Sequence, residues 1–348
     1  MPWRSALFAP GRMDVKTKFF LSETRIAHDR LTNLLILTYP LLIGVWQFRE
    51  TARHFASLAD PVKVRNAVLS FVKFPQNETA IRRLDFTESV INISWERQRD
   101  ATAEMIFLVC CSIYENFTNH MQKKIPPPPG SALSFRPIEK GFQFPTNKYD
   151  LGVNPPVRST HRYSDNLTRA LSYFPISAFM KENLCPLYPT RNGRNMLEDL
   201  ELRLHTYLLF KKLRNSIVHG TFDSDISGQY RIVEEVVTAQ SQGLPKKVTI
   251  SKDSAAEYFV TLYDVIGFIA LLLNLIQDID FICLLSEDGE KELVERLSRT
   301  KDAKQSSPSD RQKDFNRLRL CLQAMGVNGF RVDDNSRAFF IGQGAWRP

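Results

Sequence analysis

The chain has 348 residues, of which 43% are hydrophobic and 24% charged, with a net charge of +8. That length can bury a sizeable core as one large domain or as two, and the ordinary composition excludes disordered and fibrous classes. The positive balance comes from 46 basic against 38 acidic residues spread along the chain, a pattern that suits a polyanionic partner such as RNA and fits a solvated surface equally well.

In chain order, the opening Met1-Pro2-Trp3-Arg4 lacks the apolar core and small-residue cleavage site of a signal peptide. From about Phe19 to Lys73 the pattern is helical, with a break near Asp60-Pro61. Leu31–Phe48 is apolar but carries Thr32, Asn33, Thr38 and Pro40 and is marginal in length for a membrane span, so a buried core helix is expected. Gln98–Gln122 reads as a long helix, apolar almost all round and therefore central, apart from a stripe of Ser112, Glu115, Asn116 and Asn119. The run Pro126–Gly130 can continue neither helix nor central strand.

Ser131–Thr160, rich in Pro, Gly, Phe and basic residues, reads as a long loop insertion, and Asn166–Asn183 as a short helix bent near Pro175. Asn195 followed by Glu198 resembles a capping box that opens a helix to about His219, with Gly220 ending it. Gln229–Val237 and Lys246–Lys252 carry β-prone residues around Gln242-Gly243 and suggest a hairpin. Asp253–Leu285 is a second long apolar helix, interrupted by Asp264, Asn274, Gln277, Asp278 and Asp280, and is expected to be core rather than membrane span. Arg299–Arg311 reads as a polar linker, followed by a helix and a hairpin around Asp333–Ser336. The class is mainly α with small hairpins. Residues 1–97 form an N-terminal helical region, 98–285 a central domain with an insertion at about 124–165, and 286–348 a helix-and-hairpin extension.

The five cysteines, Cys110, Cys111, Cys185, Cys283 and Cys321, are odd in number, form no CxxC pair and join no Cys/His cluster. Neither a disulfide framework nor a structural zinc is expected, and buried thiols in a reducing cytoplasm are the plain reading. No P-loop, no GxGxxG opening a helix and no nucleophile elbow occurs, so no cofactor is expected.

The segment Arg214-Asn215-Ser216-Ile217-Val218-His219 carries the chemistry. Its Arg-to-His spacing alone means little, because Arg49 and His54 repeat it by chance. On a helical wheel Leu202, Thr206, Leu209, Leu213 and Ile217 make a core stripe. Asn215 and His219 lie together on the opposite side, flanked by Arg214 and by the apolar Leu204, Tyr207, Leu208 and Val218. Metal-free RNA cleavage needs a base for the 2′-OH and an acid for the leaving 5′ oxygen, and histidine suits both near neutrality. Arginine supplies a forked, permanent cation for the phosphate. Placed at a helix C-terminus, His219 would be favoured as imidazolium. From the residues alone, the same set could equally be a capping histidine beside a surface arginine.

The longer segment Leu209–Gly220 resembles the signature of the HEPN superfamily, in which an Arg, a following polar residue and a His lie near the end of a helix. Ala103–Met121, with Ile113-Tyr114-Glu115-Asn116-Phe117, is similar to the earlier helix of such domains, and the likeness spans about Asp100–Leu285 with the insertion as a departure. The resemblance implies a helical bundle with added N-terminal helices, dimeric, and a metal-independent endoribonuclease leaving a 2′,3′-cyclic phosphate, in a defence effector or toxin. Arg214, Asn215 and His219 would be catalytic, with neither metal nor cofactor. Glu115 is a candidate supporting residue that could orient Arg214 or His219 across the helix pair, or belong to a helix-helix hydrogen-bond set that satisfies itself. Lys211, Lys212, Arg191 and Arg194 are candidate RNA contacts. The implied partners are RNA, a second copy of the chain and a regulatory or antitoxin protein, without stable membrane insertion. The alternatives are a catalytically silent module of the same type that binds protein or RNA, and a peripheral membrane protein using Leu31–Phe48.

Overall fold

A computed structural model describes residues 19–58, 60–72, 90–124, 177–184, 196–219, 226, 251–252, 258–304, 311–327 and 330–347. These residues are overwhelmingly α-helical, as the composition and periodicity lead one to expect.

Helix α1 (Ser22–Phe55) has no side-chain cap of its own at Leu21. The two residues just before it are held instead by a carboxylate from far along the chain: Asp280 accepts from the backbone N–H of Phe20 at 2.9 Å and of Leu21 at 2.8 Å. A carboxylate at a helix N-terminus also complements the dipole. Arg296 completes the clamp by donating to the Phe20 carbonyl at 2.6 Å, its guanidinium 4.6 Å from the Phe20 ring centroid. The same strand of chain presses on Gly326, where φ is +88° and a Cβ would lie 2.2 Å from the Phe19 carbonyl oxygen, so both backbone and space demand glycine. Burial pushes the Asp280 carboxyl above the usual carboxylate range, opposed by the backbone bonds, Thr24 and Arg296.

The break near Asp60-Pro61 is where helix α2 (Pro61–Phe71) starts, capped by Asp60, which accepts from Val62 N at 2.9 Å. Ala52, Val64 and Val68 form a small satellite core there. Buried Arg49 donates to the carbonyls of Val90, at 2.9 Å, and Ile93, tying α1 to the turn before helix α3 (Trp95–Lys124).

Helix α4 is Ala178–Leu184, helix α5 Met196–His219 and helix α6 Leu262–Leu285. An aromatic cluster joins α3, α5 and α6: Phe107, Phe210 and Phe268 have ring centroids 4.5 to 5.8 Å apart, and Tyr207 lies 4.7 Å from Tyr114. Helices α7 (Glu287–Ser298), α8 (Arg311–Ala324) and α9 (Asp334–Gly342) follow. Asp314, fully buried, takes hydrogen bonds from Arg317, Arg337 and the Trp346 indole, which locks the C-terminal turns onto α8. One apolar cluster runs from Phe20 to Trp346, so the described N- and C-terminal regions share the core of the central region.

Four expectations are corrected. Leu31–Phe48 is not a core helix: the most apolar window of α1 is 17% buried, against 71% for that of α6. Its partners, α3 and α6, cover one stripe only, through Leu31, Thr38 and Leu42. Helix α3 likewise leaves Met105 and Val109 exposed. The strand expected to end at Lys252 is described only at Ser251 and Lys252. Among the described residues the one ladder is two residues long, Ser251 opposite Phe259 and Lys252 opposite Tyr258, and Thr261 with Asp264 starts α6 by a capping box, later than Asp253. The hairpin at Asp333–Ser336 is instead the start of α9, capped reciprocally by Asp333 and Ser336. The helix within Asn166–Asn183 is described only from Ala178 onward, and the insertion Ser131–Thr160 and strand Gln229–Val237 lie outside the described residues.

Two tests follow. Asp280→Ala strands two buried amides and should cost about 2–5 kcal/mol in urea denaturation, with Asp280→Asn milder because its amide oxygen still accepts. Cys110, Cys111, Cys283 and Cys321 are buried thiols, and burial raises the Cys110 thiol to about 12 and Cys111 further. All four should resist Ellman's reagent in the native protein and react on unfolding.

Candidate functional site

Helix α5 occupies the span anticipated for it, Met196–His219. Thr206, Leu209 and Leu213 are buried along the expected stripe, and Ile217 packs against the core beside them. The buried arc is wider than a wheel predicts, because Tyr207 and Phe210 are also almost fully enclosed. Tyr207, expected beside Asn215 on the functional side, therefore belongs to the aromatic core, while Val218 is exposed.

Arg214 and Asn215 stand half-buried where this core reaches the surface. The Arg214 guanidinium donates from Nη1 to Asn215 Oδ1 at 3.0 Å and from Nη2 to Glu115 Oε2 at 3.5 Å. Glu115 projects from α3, so the pair bridges two helices, and its side chains are 26% and 22% exposed. Below it lies a dry floor of Cys111, Tyr114 and Tyr207. Burial drives the Tyr207 hydroxyl well up, with Tyr114, Cys111 and the Glu115 carboxylate adding to the rise and the Arg214 cation opposing it. The shared floor places the ion pair in a medium where its field acts more strongly than in water.

Of the other anticipated residues, Lys211 and Lys212 are half-buried on α5, one turn before Arg214. His219 is the last residue of α5, but its side chain lies outside the described residues, as do Arg191, Arg194, Asn195 and Gly220. Among the described residues no group of three His, Cys, Asp or Glu side chains is arranged to hold a metal ion.

Two features escaped the sequence. Asp278 of α6 forms an ion pair with Arg203 of α5, almost fully buried on the carboxylate side. The signal was a carboxylate inside an apolar run, since such a group seldom goes unpartnered. His120, exposed on α3, bonds through Nδ1 to the Asn116 carbonyl at 2.7 Å. A carbonyl only accepts, so Nδ1 carries the proton.

Chemically, Arg214 is a cation held from two sides, with its five donors more than the two contacts use. It can grip an oxyanion while Glu115 and Asn215 keep the fork oriented. Arg49, with the same spacing to a histidine, cannot: it is 4% exposed and its Nη1 donates to two backbone carbonyls.

Asp278→Ala would leave the Arg203 cation without this carboxylate and should destabilise by about 3 kcal/mol. Glu115→Gln, at a pair open to water, should cost under about 1 kcal/mol in the same denaturation measurement. No protein-family model matches this chain, and neither a curated protein nor a solved structure matches it.

Proposed function

We propose that the chain is a HEPN-type, metal-independent endoribonuclease, acting as a defence effector or toxin. The observation that carries this reading is the Arg214 guanidinium braced by Asn215 and Glu115 in the last turns of a helix that ends at His219. In this mechanism a histidine takes the proton from the ribose 2′-OH and the 2′ oxygen attacks phosphorus. The 5′ oxygen leaves with a proton from an acid, giving a 2′,3′-cyclic phosphate and a free 5′-OH. Arg214 neutralises the charge that builds on the phosphoryl oxygens, Asn215 and Glu115 hold it, and Lys211 and Lys212 draw the RNA backbone in. One His219 cannot be base and acid in a single step, which calls for a second copy of the chain facing the first.

One observation favours a second reading, a silent module that binds RNA or protein: the Arg214 charge is already partly answered by Glu115 within the chain. Cleavage of labelled RNA by the purified protein in the presence of EDTA separates the two. The nuclease reading expects cyclic-phosphate ends and a fall of about 10²–10⁴-fold in rate for His219→Ala and for Arg214→Ala. Cleavage that survives both substitutions, or RNA binding with no cleavage by the unaltered chain, refutes it.

A further inference from the structure

The charge of Glu115 is more than the positioning of Arg214 requires. Arg214 donates to the neutral Oδ1 of Asn215 at 3.0 Å, so an uncharged acceptor is enough to brace one side of the fork. On the other side stands a carboxylate instead, at 3.5 Å. It is not a lock between helices of the kind found elsewhere in the bundle. Asp278 and Asp314 close tightly on Arg203 and Arg337 and are almost fully buried, whereas Glu115 and Arg214 both stand partly open to water. An ion pair in that setting contributes little to stability.

What the carboxylate adds is a fixed negative charge beside the cation. Cys111, Tyr114 and Tyr207 beneath the pair add none, because burial holds the thiol and both hydroxyls in their protonated forms. An oxyanion gripped by Arg214 from its open side lies roughly 7 Å from Glu115, inside the screening length of about 10 Å at 0.1 M salt. It is pulled by the guanidinium and pushed by the carboxylate at once.

Ligand charge enters these effects differently. Attraction and repulsion grow in proportion to it, while the cost of stripping water grows as its square. A weakened field therefore favours a singly charged ligand over a doubly charged one. Lys211 and Lys212, half-buried on α5, pull each anion in proportion to its charge and leave the push from Glu115 unchanged. An internal phosphodiester carries one charge. A terminal phosphomonoester carries nearly two at neutral pH, its second ionisation lying at about 6.

We propose that Glu115 determines the specificity of this site, setting it to take the singly charged phosphodiester inside a nucleic-acid strand and to turn away the doubly charged phosphomonoester at a strand end. Selection of this kind presupposes Arg214 as the oxyanion site of the nuclease reading. A product end stays singly charged while its 2′,3′ ring is closed and is disfavoured once the ring opens to a monoester.

Glu115→Gln separates the charge from the brace, since its amide oxygen still accepts from Arg214. The probes are TpT, a deoxy dinucleotide with one diester charge and no 2′-OH to attack, and thymidine 3′-monophosphate, doubly charged at about pH 8. Each is titrated into the full-length chain and followed by its phosphorus resonance, with folding checked by circular dichroism. The unaltered chain should bind TpT at least as tightly as the monophosphate. Glu115→Gln should tighten TpT about fivefold and the monophosphate about 25-fold, because the work against Glu115 doubles with the charge. Glu115→Asp, which keeps the charge, should keep the original order, and Arg214→Ala should abolish the binding of both. The proposal is overturned by equal gains for the two probes, by no gain, or by an unaltered chain that prefers the monophosphate or does not bind TpT. Binding that survives Arg214→Ala also overturns it, since the phosphate then sits elsewhere. The nuclease reading is judged separately, by RNA cleavage in EDTA.

Discussion

A carboxylate placed inside an apolar helix must find donors, because leaving it uncompensated costs several kcal/mol. Helix α6 carries three such groups, and each draws a different part of the chain to it. Asp264 bonds back to Thr261 and starts the helix itself. Asp278 pairs with Arg203 and so sets the height of α5 against α6. Asp280 receives the backbone of Phe20 and Leu21 and anchors the head of α1. The apolar contacts between these helices are non-directional and would tolerate sliding. The ion pair and the clamp do not, so they determine the register in which the bundle closes.

That register positions the candidate site. Arg203 and Arg214 are eleven residues apart, close to three full turns, so they leave α5 on nearly the same side about 16 Å from one another. The first meets α6 and the second meets Glu115 of α3. Between them Tyr207 and Phe210 fill the aromatic core, which keeps water from the underside of the Arg214–Glu115 pair. The site is polar at its mouth and dry at its base, the setting in which a guanidinium discriminates most strongly between a neutral and an anionic ligand.

Where the sequence misled, the cause is a degeneracy in the local code. Asp333-Asp334-Asn335-Ser336 satisfies a turn and a helix N-cap equally, because short polar side chains bond their own backbone in both. Only the packing of Phe340 into the core selects the helix. The apolar run of α1 was ambiguous differently. Periodicity reports that a face is apolar, not what lies against it, and here the bundle covers only one stripe. Tyr207 was misplaced because a wheel places side chains by angle alone, and a large ring reaches a core that a small residue at the same angle would not.

The sequence by itself determined the mainly helical class, the break at Asp60-Pro61, the span of α5 and the core stripe along it, since these follow from local backbone preferences and a 3.6-residue period. It also singled out Arg214, Asn215 and Glu115 as chemically apt residues. Only the tertiary structure decided that Glu115 and Arg214 meet, that Arg203 and Asp278 pair, and that Arg49 is buried with its Nη1 on backbone carbonyls. The physical reason is sequence separation. Partners some 41 to 260 residues apart are brought together by the packing of whole helices, and no local preference encodes that meeting.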